Sequence, residues 1–177
     1  MMTFSLKNRR LACAALLVAV GLLLPPVFHL VGGQAAGGML LPMHLPVLLA
    51  GLLFGPSVGV AVGVLTPLLS FLLSGMPTLA KLPFMLIELA AYGAVSGLCC
   101  VKAKLPVPVG LLAAQAAGRL VNALGLWIAG ALFELPVSGP LSVWTALVTG
   151  LPGVAIQWIV LPLLIRALKK SGVLRYV

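Results

Sequence analysis

The sequence predicts an all-α integral membrane protein with six transmembrane helices. Three observations carry this reading. Of 177 residues, 62% are hydrophobic and only 7% charged, a balance that belongs to membrane-embedded chains. Apolar runs of about 20 residues, the length that crosses a bilayer as a helix, recur along the whole chain. The breaks between them are short and rich in Gly and Pro, which end helices. The net charge is +9, with Glu88 and Glu134 as the two acids. The basic residues sit in small clusters beside apolar runs, as cytoplasmic anchors do. They form no water-facing stripe of the kind that binds nucleic acid, so no nucleic-acid partner is expected. Cys13, Cys99 and Cys100 lack the spacing of a disulfide framework or a zinc site, and are read as small apolar fillers. No metal or other cofactor is implied.

The elements follow in order. A basic start (Lys7, Arg9, Arg10) precedes a first helix from Asn8 to Val27. A secretory signal peptide also begins this way, but the run ends without a small-residue cleavage site. Ala12, Ala15 and Ala19 fall on one side of this helix, and such a strip lets another helix approach closely. Packing within the same chain and docking of a partner both fit the spacing. Leu30 to Gly38 reads as an uncharged loop. Its residues Gly32, Gly33, Gln34, Gly37 and Gly38 give the flexibility of a lid over a cavity.

The block Leu41 to Pro77 holds two spans without a single charge, joined by the turn Phe54-Gly55-Pro56-Ser57. A turn at Ser74 to Thr78 and then Lys81 lead into a fourth helix, about Leu82 to Val101, closed by Lys102 and Lys104. Pro106 and Pro108 open a fifth, to about Phe133. Glu134 to Pro140 is a loop, and a sixth helix runs from about Leu141 to Leu168. The whole chain, 1–177, is one transmembrane domain. Six crossings put both termini on one side. The N-terminal cluster, Lys102/Lys104 and the C-terminal cluster all share that side, so the positive-inside rule makes both termini cytoplasmic.

Polar residues inside the bilayer are costly and face a cavity or a partner. Gln115, Arg119 and Asn122 share one face of the fifth helix. Arg119 lies about 20 Å from the cytoplasmic start of that helix, and Glu88 about 9 Å from the outer start of the fourth. Both therefore fall in the outer half of the core, at the level of His44. His44, Glu88, Arg119 and Asn122 are the candidate substrate site, with Trp127 and Trp144 as candidate walls. Each has a plainer reading: an ion pair linking two helices, interfacial aromatic anchors, a histidine bonded to backbone. Gln157 reads as structural.

No HExxH, GxSxG, paired carboxylates or nucleotide-binding loop occurs, so neither an enzyme nor an ATPase is indicated. A proton-coupled carrier using Glu88 or His44 lacks the inverted repeats and paired broken helices on which many carriers are built. A scaffold subunit without a ligand is a third reading.

The block HLPVLLAGLLFGPSVGVAVGVLTPLLSFLLSG, the ALLVA of Ala15 to Ala19, and the following PTLAKLPFMLIELAAYGAVSGL carry a resemblance over nearly the whole chain. It resembles the S components, the substrate-binding membrane subunits, of energy-coupling factor (ECF) transporters. The resemblance implies high-affinity uptake of a vitamin or related micronutrient across a bacterial cytoplasmic membrane. It implies a site near the outer face, under the first and third outer loops. It also implies docking of the small face of the first helix, at Ala15 and Ala19, on a membrane coupling subunit with two ATPases. No substrate-contact motif transfers, so the candidate site rests on depth alone. Arg119 has more donors than Glu88 can occupy, and few aromatics stand near to stack a large ring. A compact, oxygen-rich vitamin such as pantothenate fits that balance better than a flavin or a folate.

Overall fold

A computed structural model describes residues 6–134, 136–139 and 141–171. The helices are α1 (Leu6–Leu40), α2 (His44–Phe54), α3 (Pro56–Ser74), α4 (Leu82–Gly97), α5 (Val107–Ala131), α6 (Ser142–Thr149) and α7 (Leu151–Lys170). A π-helical turn, Leu98–Lys102, extends α4. Among the described residues there is no strand. Six segments are long and apolar enough to cross a membrane: Asn8–Leu30, Ala35–Phe54, Pro56–Ser74, Leu82–Lys102, Val107–Ala131 and Leu151–Lys170. The protein is a multi-pass, all-helical membrane protein.

Two boundaries differ from the sequence expectation. Leu30 to Gly38 is not a loop. The non-helical backbone is confined to Gly32 and Gly33, and Gly33 takes φ 65°. Helix resumes at once, and Ala35 already belongs to the second span. Four glycines look like a loop, but the alanines and Met39-Leu40 that accompany them are good helix formers. No charged residue is present to hold an irregular segment. Secondly, the last span begins at Leu151, not Leu141. Gly150 separates it from α6, and Pro152 in the first turn of α7 favours a fresh helix start.

Packing centres on α2, where His44 and Pro46 through Leu52 are all buried. Val62, Leu89, Tyr92, Leu111 and Leu161 close the core around it. The one-residue link between α2 and α3 is Gly55, at φ 94°, where a side chain would be strained. Pro56 then starts α3 with its φ already helical. Further along, α3 and α4 touch backbone to backbone: a Cβ on Gly59 or on Gly93 would collide with the other residue's carbonyl group. Close approach through small residues is how helices associate where lipid removes the hydrophobic drive. On α1, Val18 is buried and Gly21 lies against Thr66 and Pro46. Ala12, Ala15 and Ala19 face outward on another side and are exposed. By contrast α6 contributes no buried residue and touches α1, α5 and α7 lightly.

Gly97 lies against Gly55 and Pro56, and Gly110 against Cys100, so the α2–α3 and α4–α5 connections share one end of the bundle. The α1 break, the α3–α4 connection and α6 gather at the opposite end.

Candidate functional site

A cavity of about 1070 Å³ opens at that opposite end. Its walls come from α1, the start of α2, the ends of α3 and α5, the start of α4, and α6. Apolar side chains such as Pro26, Met43, Phe84, Met85 and Leu126 form much of the lining. Its floor is polar.

The floor is built from residues one turn apart on facing helices. Glu88 sits on the inner face of α4 and is buried, at 5% exposure. Arg119 of α5 meets it: Nη1 lies 3.0 Å from Glu88 Oε1. Asn122, three residues further along α5, donates its Nδ2 to Glu88 Oε2. Tyr92, one turn along α4, donates its hydroxyl to Glu88 Oε1 at 3.3 Å. Each carboxylate oxygen is therefore engaged, as a buried charge requires. His44, at the first turn of α2, packs edge-on against Tyr92 with ring centroids 5.0 Å apart.

The structure thus brings His44, Glu88, Arg119 and Asn122 together around one cavity. It does not bring Trp127 and Trp144 there. They are 53% and 66% exposed on the outside of the bundle, and neither lines the cavity. Trp127 instead shares a shallow apolar surface with Leu120, Ala123 and Leu124. Both are large rings on outward helix faces, turned away from the cavity. Of the predicted lid glycines, Gly37 and Gly38 line the cavity, Gly32 and Gly33 form the break in α1, and Gln34 has no described side chain. Gln115 stands apart from the site. It donates Nε2 to Gln157 Oε1 at 2.9 Å and accepts from Trp158 Nε1 at 2.9 Å, tying α5 to α7.

Sequence reasoning missed Tyr92, His29, Ser70 and α6. Tyr92 was in reach of it, since i and i+4 share a helix face with Glu88. His29 lies past the expected end of the first helix. Ser142, Thr145 and Thr149 of α6 also line the cavity. They stood in a stretch read as the start of a span.

What remains unused decides what the floor can do. Arg119 Nη2 is buried without a partner. Neither ring nitrogen of His44 makes a well-formed hydrogen bond, although the Leu41 carbonyl lies near. Buried polar atoms are normally paired; these lie just beneath the cavity surface, where a guest can satisfy them once the floor side chains shift. The described residues hold no cluster of three or more His, Cys, Asp or Glu side chains suited to a metal.

A family model described as "ECF transporter, substrate-specific component" matches residues 9–165. No curated protein and no solved structure gives a significant match. The family match covers all six spans but for Asn8 and the last five residues of α7. The chain belongs to the substrate-specific components of ECF transporters, membrane subunits that bind the substrate of the transporter and carry no ATPase of their own.

Proposed function

We propose that this S component imports a compact vitamin bearing one carboxylate and several hydroxyl or carbonyl oxygens, with pantothenate as the type. One observation carries the choice: the free capacity on the cavity floor is donor-rich. Glu88 accepts from three neighbours, while the Nη2 group of Arg119 is unspent. A ligand carboxylate on that group gains a charge-assisted hydrogen bond in a place from which water is largely removed. The rings that line the cavity, Phe84 and the two histidines, offer little stacking surface for a flavin or a folate.

In this reading both termini face the cytoplasm of a bacterial cell and the cavity opens outward, as the Lys and Arg distribution favours. Gly32 and Gly33 act as a hinge that lets the segment carrying Gly37 and Gly38 settle over the ligand. Ala12, Ala15 and Ala19 present the small face on which a membrane coupling subunit, served by two ATPases, docks. A proton-coupled carrier would need a carboxylate free to exchange protons, and Glu88 is held by three partners.

Purification of the chain alone and mass spectrometry of what travels with it test the reading. A small carboxylic acid with hydroxyl or carbonyl groups, retained at about one per protein, is the expected result, as slow release is the mark of tight binding. Recovery of lipid alone, or of a planar neutral ring, would contradict it.

A further inference from the structure

We propose that Lys81 is a specificity-determining residue: an entry cation that favours singly negative ligands and draws them toward Arg119. The inference rests on the reading that this cavity is the substrate site. Three charged side chains with fixed sign line it: Lys81, Glu88 and Arg119. Glu88 and Arg119 neutralise each other across 3.0 Å. Lys81 has no ion pair among the described residues, and Glu134, the other acid of the chain, forms none with it. The cavity therefore carries one uncompensated positive charge. It sits at the exposed rim, not the floor.

The position of Lys81 is not explained by helix stability. It occupies the N-cap of α4, makes no side-chain capping bond, and no acid stands in the first turn. The N-terminal end of a helix is the positive end of its dipole, so a cation there is mildly unfavourable. Ser, Thr, Asp or Asn would cap the helix better. In the proposed orientation it is also the one Lys or Arg of the outer connections, against the tendency to keep such residues inside. A charge placed at a cost to the local helix, on the rim of a low-dielectric cleft, focuses a field into that cleft.

The consequence is selection by charge at entry. An anion gains at the rim and then exchanges that attraction for Arg119 Nη2 below. A cation is opposed at the rim, and on the floor it finds the Glu88 carboxylate already engaged. The effect falls mainly on the association rate and fades with salt, because Lys81 is exposed.

The test does not require the ligand to be known. Single cysteines at Ser142→Cys, and separately at Ser74→Cys on the facing wall, are placed in a chain whose native cysteines are changed to alanine. Each is labelled with an anionic sulfonate methanethiosulfonate and with a cationic trimethylammonium one, normalised to a free thiol. With Lys81 present the anionic reagent should be favoured. Lys81→Gln should lower the anion-to-cation ratio by about fivefold at low salt, since one unit charge roughly 8 Å away in water favours the anion and opposes the cation by about twofold each, and Lys81→Arg should keep it. At 0.5 M salt the three should converge. A ratio unmoved by Lys81→Gln at both reporter positions would overturn the inference, whatever the ligand is. In parallel, pantothenate association should slow in Lys81→Gln while dissociation does not change. If the labelling ratio shifts and pantothenate fails to bind the unaltered chain, Lys81 stands as the entry cation and the pantothenate assignment falls.

Discussion

Arg119 and Glu88 hold each other in a place where neither is tolerable alone. Removing one partner of a buried ion pair costs about 3–5 kcal/mol, whereas replacing both with neutral groups of similar size is often nearly neutral. Arg119→Met and Glu88→Gln are therefore each expected to lower the thermal midpoint in detergent markedly. The double variant should recover most of the loss. The midpoints of the four proteins check this, and a double variant no more stable than the singles would show that the pair is not the source of the penalty. The double variant also separates folding from binding, because it should fold and yet lack the Nη2 donor. These two residues were legible in the sequence by depth alone, since a charge inside an apolar run demands a partner and only one opposite charge lay at its level. Trp127 and Trp144 were not separable in the same way. Depth fixes height along the bundle but not the direction in which a ring points, and both point away from the bundle.

At the scale of the helix, small residues mark close approach, but they do not say to what. Gly59 and Gly93 are spent inside the chain, backbone against backbone. Ala12, Ala15 and Ala19 lie exposed on α1 among the described residues. Sequence spacing left both uses open for the alanines; their exposure argues against close packing within the chain and leaves docking as the proposal. If their face is a docking surface, Ala15→Trp should abolish uptake in the assembled transporter while ligand binding to the isolated subunit persists. Uptake assays and binding titrations on the same variant check this, and normal transport would remove the docking assignment. The extents of α3, α4 and α5 were legible because proline and glycine bracket them. The start of the second span was not. Glycine is compatible with a loop or a helix, and only Gly32 and Gly33 break the backbone. The split at Gly150 was hidden for the related reason that α6 is nearly as apolar as the span it precedes.

Over the whole molecule, a tightly interlocked set of helices, α2 to α5, carries the polar floor. The α1 segment beyond Pro25 and the lightly packed α6 close the sides and mouth of the cavity. That division suits a binding subunit: the groups of the proposed site belong to the interlocked helices, while α6, a wall of the cavity, has fewer contacts to break. Arg119 Nη2 on the polar floor has no partner, and the proposed ligand choice turns on that donor. The most direct measurement is a calorimetric titration of pantothenate and of pantothenol, its neutral alcohol analogue, into the purified subunit and into the Glu88→Gln/Arg119→Met double variant. The expected result is tight binding of pantothenate to the unaltered protein. Pantothenol should bind about 10- to 100-fold more weakly, the worth of a hydrogen bond to a charged group, and in 0.5 M salt, where Lys81 is screened, the double variant should not distinguish the two. Equal affinity for both compounds in the unaltered protein, or undiminished pantothenate binding in the double variant, would contradict it.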